Sequence, residues 1–520
     1  MEDLKENTEK DVVQERFDAL LEQAKTGGLW QNAIDKLAKD KDVGVATLFN
    51  YLYQEELILV SDLDAWYRWN GVYWESIDYD DLQEMMDTVS LLLKRRIDDV
   101  TWAKEEDIKK GCKTDSAEVK AKENLLSVLE SALSRVTTST GIRNVITASR
   151  GNKSYKLRVK SEVLDTNPYV LCVQNGVIEL KRGKLREARR DDHCTFCAPV
   201  EWQGLDAPRP KWEAMVKEIL GNNDDAYHYF QRVLGMAMVG KVLEKNFLLM
   251  FGEEGDSGKT TIFEILFGVL GGYAAPMPVE LLLDSGMPTN PNAPTPAIMD
   301  LRGKRLCWAS EPADNRRFSV DRIKLMSGGD TLTARSPYAK ENITFSPSHT
   351  LFMLSNNEPH AGASDSAFWK RLRQIDCPFE FVDTPTKLNQ KKVDRTLKDT
   401  ILREEASGVL AWLVEGFMEY NAGGGSNTPE CILKATAEYR NREDKILMFK
   451  QECIEEKQGE EISGQDLYDK FKKWHEKSYG RAPSIQWFGK EAKRHFTSQR
   501  TNVTKYLDVA FNTYAESFDE

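Results

Sequence analysis

Apolar residues along this chain recur at two spacings, every three to four positions and every second one, and the changes between them mark its elements. The first sixty residues are rich in Lys, Glu, Leu and Ala. Phe17, Leu20, Leu21 and Ala24 fall at helical spacing and Gly27-Gly28 closes the element, so a helical arm is expected over 1–60. Within it, Ile34 to Leu52 carries two helical pieces whose turn is longer than a DNA-binding helix-turn-helix allows, and a packed helical pair is expected. Trp66 to Trp74 sets Asn70-Gly71 between two aromatic arms, a hairpin signal whose rings read as a packed face rather than a base-stacking one. Helix is expected from Tyr79 to Val136 and strands around Leu171 to Leu180. An amphipathic helix from Asp225 to about Val242 leads into the apolar run Asn246 to Phe251, which reads as a buried strand.

Two stretches break the pattern. Ser285 to Pro296 is a proline-rich loop, and Asn421 to Pro429, with three consecutive glycines, reads as a linker. Boundaries are therefore expected at 1–60, 61–204, 205–420, a linker at 421–429, and 430–520. No repeat of solenoid period is present in the sequence.

Composition changes this picture little. The 520 residues, 41% hydrophobic and 30% charged, suit a globular chain of about three domains. A net charge of −12 argues against wrapping in nucleic acid and against a polybasic membrane anchor. Eight scattered cysteines make no disulfide framework, and Met1 to Glu6 lacks a basic-then-apolar leader. The longest apolar stretch, Ile262 to Leu283, is interrupted by Glu264, Pro276, Pro278 and Glu280, so no membrane span is expected and the chain reads as cytoplasmic, in a bacterial or host cell interior.

The chemistry concentrates after residue 246. Phe251-Gly-Glu-Glu-Gly-Asp-Ser-Gly-Lys-Thr-Thr261 follows the buried strand and opens a helix, so the amides of the loop holding Gly255 and Gly258, and of the helix start at Thr260 and Thr261, are placed to receive phosphates. Lys259 would reach the β- and γ-phosphates and Thr260 would ligate Mg²⁺, which points to ATP. The usual spacing places a glycine where Glu253 stands, and the nearest one on that side is Gly252, so the loop is one residue longer or its first turn is built differently. Downstream, the strand Gly303 to Ser310 ends at Glu311, where a carboxylate can polarise an attacking water. The strand Thr350 to Ser355 ends at Asn356, an amide able to hold that water or sense the γ-phosphate, and Trp369-Lys-Arg-Leu-Arg373 then supplies Arg371 and Arg373.

With these motifs in order, and with Leu325-Met-Ser-Gly-Gly-Asp330, Ala334-Arg335 and Ser355-Asn-Asn-Glu-Pro359 among them, the chain resembles the superfamily 3 helicases, in the phage and plasmid branch related to the poxvirus primase-helicase. The resemblance covers roughly residues 60 to 510. It implies an α/β fold: an AAA+ type P-loop core after a mixed α+β region, followed by a winged-helix-like C-terminal domain. It also implies a ring, normally a homohexamer, that hydrolyses ATP with Mg²⁺ and moves single-stranded or forked DNA in the 3′ to 5′ sense. On that resemblance Lys259 and Thr260 form the Walker A pair, Glu311 is the Walker B carboxylate sharing the metal with Thr260, Asn356 is the sensor, and Arg371 is the arginine finger with Arg373 as its competitor. A pore hairpin would have Leu332 to Arg335 and Asn342 to Phe345 as arms, with Lys340 and Tyr338 touching DNA at its tip. In the C-terminal domain a third helix with Lys490, Lys493 and Arg494 would face duplex DNA, a protein-interaction wing being the alternative.

Other constellations say less. Cys194-Thr-Phe-Cys197 lacks a second pair at zinc spacing. Asp78 and Asp80 could be a primase carboxylate pair, but no histidine follows before His193, and primase activity is expected from a separately encoded primase or polymerase partner. An ATP-assembled replication initiator is the alternative to a helicase, and a metabolic P-loop kinase is disfavoured because it has no need of the Asn356 and Arg371 pattern. Locally the charge is uneven: residues 141–190 hold 12 basic against 4 acidic side chains, and 470–505 hold 10 against 2, so two basic islands lie in an acidic chain.

Overall fold

A computed structural model describes residues 30–151, 157–284, 295–312, 316–335, 342–363, 365–500 and 503–516. The helical spacing at Phe17 to Ala24 and most of the proline-rich loop lie outside them. The chain forms two units, Met1–Thr166 with Glu187–Phe196, and Asn167–Arg186 with Cys197–Glu520.

The first unit begins with the expected helical pair, α1 (Trp30–Lys39) and α2 (Lys41–Tyr53). Leu48, Phe49 and Leu52 of α2 are buried, which leaves the pair as core. Strands β1 (Leu57–Val60), β2 (Ala65–Trp69) and β3 (Trp74–Ile77) follow, and β2 pairs antiparallel with β3 through Trp69 and Trp74. The hairpin loop holds four residues, and the Asn70 side-chain oxygen accepts from Val72 N and Tyr73 N, both at 3.0 Å, which substitutes for a tighter turn. Trp66 and Trp74 are buried, so this aromatic cluster is largely a packed face. Helices α3 (Tyr79–Lys109), α4 (Ala117–Thr137) and α5 (Ser139–Arg150) cover the sheet's core, and β4 (Arg158–Val159) closes it in parallel with β1. Asp78 accepts from Asp80 N and Asp81 N while Asp81 accepts from Asp78 N, a reciprocal cap that occupies Asp78 as a helix start rather than as a metal carboxylate.

The second unit opens with a three-stranded antiparallel sheet, β5 (Val170–Val173), β6 (Gly176–Glu179) and β7 (Lys184–Arg186). Helices α6 (Pro210–Ile219) and α7 (Asp224–Ala237) precede β8 (Phe247–Phe251) and α8 (Lys259–Leu270). The helix expected to reach Val242 ends at Ala237, where Met238 caps it and its carbonyl accepts from Arg305. Strands β9 (Ala274–Pro276), β10 (Leu306–Ser310), the short antiparallel pair β11 (Leu332–Ala334) and β12 (Ile343–Phe345), β13 (Thr350–Ser355) and β14 (Leu372–Asp376) come next, then the parallel pair β15 (Glu380–Val382) and β16 (Gln390–Lys392).

Five of these strands make one parallel sheet in the order β14-β8-β13-β10-β9. Such a sheet is covered on both faces, which is why β8 and β13 read as unbroken apolar runs. Phe230 of α7 and Phe263 of α8 both meet Phe352 on one face, while Phe247 meets Phe318 and Phe368 on the other. Helix α9 (Ala406–Gly423) crosses α7, and Trp412 donates to the Tyr227 hydroxyl at 2.8 Å. Burial pushes that phenol up to about 12. The segment expected as a linker is part of this body: Asn421 to Gly423 finish α9, and the Glu244 carboxylate accepts from Ser426 N at 2.8 Å and from its hydroxyl at 2.7 Å.

After α10 (Glu430–Glu443), the chain forms α11 (Lys445–Cys453), β17 (Ile454–Ser463), α12 (Gly464–Tyr479), α13 (Ile485–Ala492), β18 (Ser498–Arg500) and β19 (Thr504–Phe511) around a separate apolar core that includes Phe449, Phe471, Trp474 and Phe488.

The α7–α9 crossing is nearly backbone against backbone. A Cβ at Gly235 would lie 2.1 Å from Phe417 N, and one at Gly416 would lie 2.3 Å from Gln231 O. Gly235→Ala is expected to lower the unfolding free energy by about 1–3 kcal/mol through overpacking, read from the denaturant midpoint.

Candidate nucleotide site

Open parallel sheets offer ligands the edge where the strands end, because there the chain leaves the sheet and its backbone amides are free. Three of the sequence-predicted residues meet at that edge. β8 runs into the loop Gly252–Gly258 and then α8, β10 ends before Glu311, and β13, which lies between β8 and β10, ends before Asn356.

The loop is exposed from Glu253 to Asp256 and anchored at both ends. Gly252 N donates to Ser355 O at 3.2 Å, and Asp256 O accepts from Phe381 N at 3.0 Å. Gly258 has φ +79°, and a Cβ there would lie 2.6 Å from the Ile219 side chain, so both backbone and space call for glycine. Nothing lies within 4 Å of a Cβ built on Gly255, which leaves the outer side of the loop open. Thr260 is exposed and Thr261 half-buried in the first turn of α8, where unpaired amides and the helix dipole favour an anion.

Lys259 is the central group. It is only 6% exposed, and its ammonium donates to Asn356 Oδ1 at 2.7 Å and to the Ser257 hydroxyl. Burial lowers its pKa; the Cys377 thiol, Glu311 and Asp256 pull the other way. Cys377 is itself pushed up to about 12 by burial, so at neutral pH it is an uncharged thiol, and the hydrogen-bond partners of the ammonium are both neutral. A buried cation with neutral acceptors and open loop amides beside it fits a phosphate.

Glu311 is exposed at the end of β10 and holds φ +48°, a conformation rare for a side-chain-bearing residue, with its N–H donating to Leu354 O at 2.9 Å. Among the described residues no group of three or more His, Cys, Asp or Glu could hold a metal ion, so a Mg²⁺ here would be held by Thr260 and Glu311 together with nucleotide phosphates. Of the sequence-predicted cysteines, Cys194 is buried, and Cys197 is half-buried with its pKa lowered by a hydrogen bond with Cys172.

Arg371 and Arg373 are not brought to this edge. Both stand at the opposite, amino end of β14, where Phe247 N donates to Arg371 O and Arg373 pairs with Leu248. Arg373 donates to Lys370 O, Leu372 O and the Thr428 hydroxyl; Arg371 donates to Ala367 O at 3.1 Å, and its buried Nε has no partner among the described residues. Neither can serve the Lys259 pocket of its own chain. The arms β11 and β12 pair as expected, whereas Tyr338 and Lys340 at their tip lie outside the described residues. Lys490 is exposed on α13; Lys493 and Arg494, expected on that helix, follow its end at Ala492 and are exposed.

Two contributors went unnoticed in the sequence. Ser257 carried a signal, since it lies inside the phosphate motif. Phe381 carried none, because its role is a backbone bond across 125 residues of chain.

A family profile described as D5 N terminal like matches residues 46–221. A candidate helicase of Acanthamoeba polyphaga mimivirus is 27% identical over 340 residues, covering 62% of this chain and 35% of the viral protein. A candidate primase of African swine fever virus, isolate Tick/Malawi, is 24% identical over 329 residues, covering 61% and 33%. The chain thus spans about a third of the length of these curated relatives. Among solved structures, the apo C-terminal region of NrS-1 is 11% identical at a TM-score of 0.44, covering 89% of this chain and 99% of that one.

Asn356→Leu removes one of the two acceptors of a buried ammonium and is expected to lower stability by about 2 kcal/mol, the usual worth of a hydrogen bond to a charged group, measurable by urea unfolding.

Proposed function

We propose that this chain, a relative of the D5-type primase-helicases, is an ATP-driven superfamily 3 DNA helicase acting in replication of a phage, plasmid or other mobile element. One observation carries the reading. Lys259, Asn356 and Glu311 converge at the carboxyl edge of the sheet while Arg371 and Arg373 stand at its amino edge, so the catalytic set is divided in a way that a neighbouring copy can complete. A head-to-tail ring, a homohexamer in this reading, puts one edge of each copy against the other edge of the next.

The chemistry follows from that arrangement. Loop amides and Lys259 bind the β- and γ-phosphates, and Thr260 and Glu311 flank the Mg²⁺ that accompanies them, which spreads the charge of the phosphoryl oxygens. Glu311 orients and polarises the attacking water, and Asn356 fixes its position. Arg371 of the next copy stabilises the charge that develops on the γ-phosphoryl group, with Arg373 more fully committed to its own chain. Because the Asn356 oxygen accepts from Lys259, a γ-phosphate that takes the ammonium competes for that hydrogen bond and couples the loop to β13.

The DNA path is assigned to the β11–β12 hairpin, with Tyr338 and Lys340 at its tip, 3′ to 5′ translocation following from the family. The helix-strand-helix-helix-strand-strand order after Lys445 supports a winged-helix-like domain whose Lys490, Lys493 and Arg494 contact duplex DNA. No helix among the described residues is long and apolar enough to cross a membrane. In this reading the chain works inside a bacterial or host cell beside a separate primase or polymerase.

Lys259→Ala is expected to abolish ATP hydrolysis together with unwinding of a 3′-tailed fork. Arg371→Ala should lower kcat about 10³-fold while leaving the ATP-dependent rise in melting temperature intact. Full ATPase activity in both variants refutes the proposal. Fork binding without strand displacement by the unmodified chain would favour the replication initiator instead.

A further inference from the structure

Of the basic island at 141–190, much is neutralised. Arg150 pairs with Asp64, Arg190 with Glu55, and Arg182 and Arg186 share Glu179. Lys181 is different. Its ammonium lies 3.9 Å from the centroid of the Tyr169 ring, and Lys241, distant in sequence, brings a second ammonium to 5.0 Å from the same centroid. Both lysines are exposed, and among the described residues neither has a carboxylate partner. The nearby acid Glu244 is engaged by Ser426 and by the Asn246 amide.

Two ammonium groups converging on one phenol ring repel each other, and long flexible lysines on an unconstrained surface separate. Here the backbone that carries them is constrained. Leu180 N donates to Tyr169 O at 3.0 Å, which sets Lys181 beside the ring, and Gly240 N donates to Pro168 O at 2.9 Å, which sets Lys241 there. A Cβ at Gly240 would lie 3.3 Å from Pro168 Cα, so the two segments touch closely. Beneath them Arg305, only 4% exposed, donates to Val170 O at 2.6 Å and to Met238 O, clasping the strand that follows Tyr169 to the loop that leads to Lys241. A buried guanidinium thus adds a third positive charge and fixes the other two. Arg305 immediately precedes β10, so this clasp sits at the amino edge of the sheet, away from the Lys259 pocket.

We propose that Tyr169, Lys181 and Lys241 form a binding point for the phosphate backbone of a DNA strand, separate from the nucleotide site. A strand carries a charge about every 3.4 Å, so neighbouring ammonium groups are matched by successive phosphates, and the phenol ring that both lysines cover lies beside the bound strand. The site reads charge and not sequence, since none of the three side chains addresses a base edge. It rests on the reading that the chain handles DNA.

The test uses the full chain and a fluorescent oligothymidylate carrying 5-iododeoxyuridine. Photo-crosslinking should label Tyr169, and the double variant Lys181→Gln/Lys241→Gln should lose the label. Its slope of log affinity against log salt should flatten by about 0.7 for each phosphate that the variant no longer neutralises. A control of equal charge change, Lys434→Gln/Lys457→Gln, should do neither. If the unmodified chain binds the oligonucleotide but Tyr169 is unlabelled and the slope matches the control, the site is refuted while DNA handling stands. Absence of any oligonucleotide binding refutes DNA handling and the site with it. Loss of polyglutamate binding in the double variant with DNA binding unchanged assigns the surface to an acidic protein and overturns the proposal.

Discussion

A single ammonium group organises the second unit. Lys259 opens α8, yet its nitrogen lies under the loop that ends β8 and is held by the amide that ends β13. One hydrogen bond therefore joins a helix, a loop and two adjacent strand ends. Removing the cation from water is unfavourable, and two neutral oxygens offset only part of that cost. The remaining imbalance is the reason an anion is welcome at this edge. Everything placed around it, the open amides, the exposed Thr260 and the carboxylate of Glu311, is arranged with respect to that charge.

Backbone strain gathers at the same edge. Asp256, Gly258 and Glu311 all hold positive φ, and each lies where a strand ends or the loop turns toward the helix. For Asp256 and Glu311 this is a conformation that most residues avoid, and it persists because the flanking strands leave no alternative: Phe381 N grips Asp256 O, and Leu354 O receives Glu311 N. Rigid strands thus hold functional groups in positions a free loop would not retain. The C-terminal helix is the contrast, since Lys493 and Arg494 stand past its last turn and are directed by a turn rather than by helical register.

What the sequence made legible was local. The apolar runs of β8 and β13 identify buried strands, the second of them points at Asn356 without any structure, and the motif around Lys259 does the same for the loop. What it left hidden was every pairing across long stretches of chain. No pattern in Thr350–Ser355 reveals that β13 inserts between β8 and β10, although that insertion is what brings Asn356 to Lys259. Arg371 and Arg373 look adjacent to the site in the order of motifs, but β14 runs parallel to β8, and residues at its start fall at the far edge. The glycines at 423–425 suggested a linker because composition records flexibility and cannot record the two bonds by which Glu244 fastens Ser426.

The division of the chain between its units carries a consequence for synthesis. The first unit is interrupted: residues 167–186 belong to the second, and the first resumes only with Glu187–Phe196. That returning decapeptide supplies Cys194 O to Trp74 N, the His193 ring against Trp74, and Thr195 to both oxygens of Asp165. A nascent chain that has exposed only its first 166 residues therefore lacks a wall of its own amino-terminal body. That wall is completed only when Phe196 clears the ribosome, a delay of seconds at ordinary rates of elongation, and until then the side of Trp74 that His193 and Cys194 cover is open.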